Sequence, residues 1–172
     1  MMRTLLVGFA ALCATGAMAQ AQRELSYMAI ISGTCSQLTI EDEDRTADCP
    51  ATLFNTAYVD NHSSFRIASN DGSVVSFFGY DHAAEGDVAN LTVQRLLFTP
   101  AVAEDPDADL AELTRRAMAS TKDVEAVGEC EYTNPALRDN YIRCEALAEG
   151  KTYSFTFHAS DFEVVDLGGR IR

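Results

Sequence analysis

A chain of 172 residues with 26 Asp and Glu against 13 Lys and Arg carries a net charge of −13. So acidic a surface repels phosphate backbones and anionic lipid, which excludes nucleic acid and membrane surfaces and leaves cations, basic proteins and neutral ligands as partners. Solubility of an exported protein is by itself a sufficient reason for such a surface.

The opening stretch has one positive charge at Arg3, an apolar run from Leu5 to Cys13, and small residues leading to Ala17-Met18-Ala19. These are the three regions of a secretory signal, with cleavage expected after Ala19 and Ala21 as the alternative site. The run is too short for a membrane anchor, which needs about 20 apolar residues, so no membrane insertion is expected once residues 1–19 are removed. Residues 20–172 then form a single domain, periplasmic or secreted. Losing Arg3 leaves 12 Lys and Arg against 26 Asp and Glu, a balance of −14.

Four cysteines remain after cleavage: Cys35, Cys49, Cys130 and Cys144. An even number in an oxidising compartment implies bridges, and four cysteines allow three pairings. Each neighbouring pair is 14 positions apart beside expected strands, which favours Cys35 with Cys49 and Cys130 with Cys144. On the chain-entropy account each such loop contributes roughly 3 kcal/mol. A zinc site would want a C-x-x-C pair or a nearby histidine, and the four cysteines have neither.

Glu24 to Ser32 reads as a first strand with apolar residues on both faces, and Glu41 to Arg45 as a solvated charged loop. Three strands then form a meander, from Thr52, from Ser64 and from Ser73, with Asp71-Gly72 as a tight hairpin turn. In the middle strand Phe65 and Ile67 face one side and Arg66 the other. Gly79 marks a bulge or a close backbone approach, and a second bulge near Gln94 and Arg95 restores the phase of the following strand. The one helix lies between Glu104 and Ser120, with Asp105 as its cap and Leu110, Leu113 and Ala117 on the face that packs against the sheet.

The last third returns to strands. Tyr153, Phe155 and Phe157 alternate with Thr152, Ser154, Thr156 and His158, which places His158 on a solvent face. Val124, Ala126 and Cys130 share a phase, as do Ile142, Cys144 and Ala146, so the two cysteines meet on the inner side. The loop from Thr133 to Asn140 joins them. Gly33-Thr34-Cys35 and Gly128-Glu129-Cys130 also hint at a repeated hairpin unit. The expected fold is all-β and mainly antiparallel: a sandwich or partly open barrel of about eight strands, with the helix covering one opening or edge.

The run GTCSQLTIEDED, then Cys49, then LFNTAYVDNHSSFRIASNDGSVVSFFG, with GECEYTNP and Cys144 later, resembles a group of small exported alphaproteobacterial proteins without an assigned activity. That resemblance covers most of the mature chain. It rests on cysteines, turns and strand aromatics, so it implies a Gram-negative exported protein and transfers no catalytic residue.

Zinc-protease, nucleophile-elbow and phosphate-loop motifs are absent from the sequence, and with four cysteines assigned to bridges no cofactor is expected. The best constellation for chemistry is Asp81, His82, Glu85 and Asp87, with His62 in the turn after the first meander strand. An imidazole among carboxylates suits zinc or acid–base work, although an exposed loop of so acidic a chain has the same composition. Three functions follow: a non-catalytic binding or interaction domain for a protein or a small neutral or cationic ligand of the cell envelope, a metal-dependent enzyme built on residues 81–87, and a passive envelope component.

Overall fold

The computed structural model describes residues 25–82, 86–102, 108–133 and 140–165. The signal region with its cleavage point at Ala19, Asp105 as a helix cap, Glu85, and residues 134–139 of the last long connection lie outside these.

Among the described residues there are nine strands, their ladders all antiparallel, and all but the two-residue second one place mainly apolar residues inward and polar ones outward. They are β1 (Leu25–Ile40), β2 (Glu43–Asp44), β3 (Thr52–Tyr58), β4 (His62–Ala68), β5 (Val74–Asp81), β6 (Val88–Thr99), β7 (Lys122–Thr133), β8 (Tyr141–Ala148) and β9 (Lys151–Val165). From β3 to β9 each strand pairs with the next, β1 pairs with β3, and β9 returns to pair with β1. The sheet is therefore a closed barrel of eight strands, with β2 as a short extra strand on the end of β1. The expected all-β, mainly antiparallel class holds, but pairing of β1 with β9 closes the barrel, so it is neither a sandwich nor partly open.

Closure depends on the length of β1. Leu25 to Ser32 pairs with β3, while Met28 to Thr39 pairs with β9, so the strand serves two neighbours with two overlapping segments. The strand runs on past Ser32, where the sequence reading ends it, to Ile40. Its ladder shifts between Cys35 and Gln37, which breaks the period of two, and Leu38 and Ile40 regain the core beyond the shift.

Inside, the barrel is filled. Phe77 and Phe155 meet edge to face with centroids 5.4 Å apart, and Phe157, Leu38, Ile67 and Leu91 complete a closely packed interior. Outside lie Glu129, Glu131, Arg143 and Glu145, so the polarity is the reverse of a barrel that faces lipid. Among the described residues no helix is long and apolar enough to cross a membrane.

Both disulfides pair as the spacing suggested. Cys130 and Cys144 are direct cross-strand partners with Cα atoms 4.0 Å apart, and Cys35 joins Cys49 at 5.4 Å. The repeated glycines two residues before Cys35 and Cys130 have a common reason. A Cβ on Gly33 would lie 2.1 Å from the His158 carbonyl oxygen, and one on Gly128 2.1 Å from that of Glu145, so neighbouring backbones approach more closely than a side chain permits. Gln94 is an extra residue in β6 against β5, so that ladder shifts between Phe78 and Gly79, and the ladder with β7 shifts beside it between Val93 and Arg95, where strand phase required a bulge. Gly79 marks a close approach, a Cβ there lying 1.9 Å from the Thr92 carbonyl oxygen.

The charged run from Glu41 is more than a solvated loop. Glu41 and Asp42 take positive φ values of 52° and 68° to turn the chain from β1 into β2. Asp42 Oδ1 then accepts the Thr152 amide at 2.8 Å, and Arg45 lies 3.5 Å from Asp71 in the β4–β5 turn. In that turn Asp71 accepts from the Ser73 amide while Gly72 adopts a φ of +90°. Asn70 Nδ2 donates to the Cys49 carbonyl at 2.9 Å, tying the bridged segment across this end of the barrel.

The helix α1 (Leu110–Ser120) starts where Asp109 accepts the Glu112 amide at 2.8 Å, so Asp109 is its cap. Its packing differs from expectation: Leu113 and Ala117 are only half-buried and Leu110 is 80% exposed. The helix carries Glu112 bound by Arg115 and Arg116, and these pairs hold the Glu112 carboxyl down at about 2. Its residues are thus satisfied locally, without deep burial against the sheet.

Phe155→Ala should cost about 3–5 kcal/mol in urea unfolding of the oxidised protein, because it empties the centre of the barrel. Thr156→Ala, one residue on and facing outward, should change stability by less than about 0.5 kcal/mol. Equal effects would contradict the assignment of the inner face.

Candidate binding pocket

The packed interior gives way to a cavity at the barrel end formed by the start of β1 and the ends of β7 and β9. It measures about 60 Å³ and is lined by Tyr27, Asn55, Phe65, Tyr132, Asn140 and Phe162, among others. Strand alternation delivers most of these side chains. Asn55 and Phe65 occupy inward positions of β3 and β4, and Tyr132 continues the inward series of Cys130 on β7. Phe162 arrives by an irregularity. Ser32 pairs with Asp161 while Gly33 pairs with Ala159, so Ser160 is an extra residue in β9 and the inward phase moves from Asp161 to Phe162.

Asp81 belongs to this end. It ends the inward series Val75, Phe77, Gly79 on β5, and its Oδ1 accepts a hydrogen bond of 2.9 Å from the Tyr132 hydroxyl. Burial raises the Tyr132 pKa well above its ordinary value, and the negative charge of Asp81 and the hydrogen bond to it push in the same direction. Tyr27 is raised too, by burial first and then by Asp81. Phe65 and Tyr132 meet edge to face at 5.0 Å. Asn55 Nδ2 donates to the Ser64 carbonyl at 3.2 Å, which leaves its side-chain oxygen as the free group. Two residues before Phe65, on the same inward face, Ser63 buries its Oγ without a hydrogen-bond partner.

The constellation at residues 81–87 is divided by the fold. Asp81 and His82 are neighbours at the end of a strand and so point to opposite faces. His82 Nε2 lies 2.7 Å from Thr92 Oγ1 on the outer wall, and Asp87 is exposed in a turn. His62 also faces outward, stacked on Phe78 at 5.7 Å with its Nδ1 3.2 Å from Asp60. His158 is exposed, as alternation indicated. Among the described residues no group of three or more His, Cys, Asp or Glu side chains is arranged to hold a metal ion.

Two other features compete for attention. At the opposite barrel end Glu41 bridges Lys122 at 3.1 Å and Lys151 at 3.3 Å, and the Lys122 bond leads the effects that lower its pKa. Tyr153 reaches Glu41 at 3.5 Å, and its pKa is pushed up to about 12, first by burial. Every group there has a partner inside the chain, so this cluster is a structural clamp. On the outer wall a depression of about 640 Å³ runs over Val127, Gly128 and Leu147. It is larger than the end cavity but is a shallow surface with Glu129 and Glu145 beside it, whereas the end cavity converges aromatic rings and amides from five strands and from Asn140 just before β8. The smaller site is the better formed.

Comparison with protein-family models, curated proteins and solved structures finds no match to this chain. The pocket is therefore read from its own geometry.

The Tyr132–Asp81 bond makes a pH-dependent contribution whose sign is fixed. An unfolded tyrosine loses its proton near pH 10, while folded Tyr132 keeps it to higher pH, so this group's contribution is complete below about pH 10 and is lost as pH rises further. Tyr132→Phe should be less stable than wild type by about 1–2 kcal/mol at neutral pH, through loss of a bond to a charged acceptor. That gap should narrow in urea unfolding series above about pH 10. A gap that stayed constant would contradict the raised tyrosine pKa.

Proposed function

We propose that the mature chain is an exported, non-catalytic binding domain of the periplasm or the extracellular space, and that its ligand occupies the pocket at Tyr27, Phe65, Tyr132 and Phe162. One observation carries this reading: an otherwise filled barrel leaves space where aromatic rings and amide groups converge. Barrels of eight strands have interiors just large enough to be filled by side chains or to hold one small ligand, and here both occur in the same interior.

Several features support the rest of the reading. Two disulfides suit an oxidising compartment, as does an opening with the three regions of a secretory signal. General acid–base chemistry wants two titratable groups within reach of one reacting atom. The three histidines all sit on the outer wall or facing away from the cavity, and the Asp81 carboxylate already accepts from the lining residue Tyr132. A cavity of about 60 Å³ is also well below the roughly 300–1,000 Å³ of sites that enclose a drug-sized molecule, so the ligand is small or inserts only one end.

A fragment screen by two-dimensional NMR on the oxidised mature protein tests this, using neutral and charged compounds of up to about ten heavy atoms. Hits should perturb Tyr27, Asn55, Phe65, Tyr132, Ile142 and Phe162 together. Ala159→Phe, which fills the cavity wall from β9, should abolish those shifts while the barrel stays folded. A screen in which no compound perturbs this set, or in which Ala159→Phe leaves every hit intact, would overturn the assignment.

A further inference from the structure

We infer that the outer wall of the barrel carries a second binding site, for a small aromatic carboxylate, in a depression between Arg66 and Arg95. The site lies on the opposite face of the sheet from the end cavity and does not depend on it.

The depression measures about 200 Å³ and is lined by side chains of β3, β4, β5 and β6. Strand register places them. The ladders set Arg66, Ser76 and Leu97 in one row and Ser64, Phe78 and Arg95 in the next, so the two arginines approach from opposite corners. Ser64 and Ser76 face outward yet are only 6% and 4% exposed, so they form a floor beneath longer neighbours. Phe78 meets Tyr58 edge to face at 5.9 Å, and Leu97 adds a further apolar side chain to the lining.

The first argument is charge. Strands β3, β4 and β6 contain no Asp or Glu, and β5 has only Asp81, on the inner face, whereas β7 alone carries Asp123, Glu125, Glu129 and Glu131. The wall is thus divided, and its acid-free part holds two arginines. The −13 of the whole chain acts mostly from beyond a Debye length, roughly 8 Å at physiological salt, where it is screened. Asp123, opposite Leu97 on β7, is spent on Arg95.

Both guanidinium groups are also held in place. Arg66 Nε donates to Ser76 Oγ at 3.0 Å, and Arg95 binds Asp123 through Nε and one terminal nitrogen. Each fork is thereby fixed along one edge. The terminal nitrogens of Arg66 are then the pair of donors that matches the two oxygens of a carboxylate.

The apolar part of the ligand follows from the remaining walls. Tyr58, Phe78 and Leu97 line the same space, so a bare anion would leave them in water while an attached ring covers them. An apolar ligand without charge would strip water from the guanidinium groups and return nothing. A cavity of roughly 150 Å³ admits benzene, so one of about 200 Å³ admits a ring with its carboxylate.

The test titrates three probes into the oxidised mature protein, read by calorimetry and two-dimensional NMR: benzoate, its uncharged near-isostere benzamide, and acetate, which lacks the ring. Benzoate should shift the amides of Ser64, Ser76, Phe78 and Leu97 together with the Nε–H signals of Arg66 and Arg95. It should bind at least about tenfold more tightly than either control, a difference of ~1.4 kcal/mol. Arg66→Gln should remove most of the advantage over benzamide, and Arg66→Lys, which keeps the charge without the fork, should restore only part of it. Equal binding of benzamide or acetate overturns the assignment, as do benzoate shifts that survive Arg66→Gln unchanged. Benzoate shifts confined to the end cavity, or no shift at all, overturn it too. The two sites have different lining residues, so either can fail while the other stands. Should Arg66→Gln not fold, the three probes compared on the wild-type protein still decide.

Discussion

The contact between β1 and β9 is the constraint on which the rest of the molecule depends. Without it the sheet running from β1 through β3 to β9 would be open, with β1 and β9 as two long unpaired edges, a standing template for aggregation. With it the sheet acquires an inside. Phe77, Phe155 and Phe157 become fully buried only because β9 returns to β1, and the two ends of the cylinder become distinct places. The bend and shift of β1 at Gly33 to Gln37 let one strand serve both neighbours, and the Cys35–Cys49 bridge leaves β1 at that bend.

The two barrel ends then solve different problems. At one, the turn at Glu41 and Asp42, the lysines on β7 and β9, and the bridged segment around Cys49 satisfy one another, so charge is neutralised within the chain. At the other, a single carboxylate leans on a tyrosine hydroxyl among aromatic rings. The Glu41 cluster has both signs of charge and is complete, whereas Asp81 has a neutral donor and an acidic chain around it. Closure thus makes the two ends different, one clamped by paired charges and the other lined by aromatic rings.

Much of the barrel was legible because alternation is a local signal. Tyr153, Phe155 and Phe157 against Thr152, Ser154 and Thr156 can be read along one strand, and the equal 14-residue spacing of the cysteines needs no partner strand to interpret. The bulge near Gln94 and Arg95 showed itself as a local break in phase. Positions that depend on register between strands were not legible. Asp81 looked like the head of an acidic loop, and only the β5–β6–β7 pairing brings it to Tyr132. Phe162 has the wrong parity for the inward face until the extra residue Ser160 is counted. Leu110 kept a helical apolar period yet stays exposed, since periodicity states which side of a helix is apolar and not whether anything covers it.

Native-state amide hydrogen exchange across β1 and β9 tests closure most directly. If these strands seal the barrel, amides in the ladder between Ile30 and Leu38 on β1 and between Phe155 and Phe162 on β9 will exchange only through global unfolding, with the same free energy as the central strands β4 and β5. Exchange of either strand through a local opening well below the global value, with β4 and β5 still protected, would show an open sheet and contradict the account.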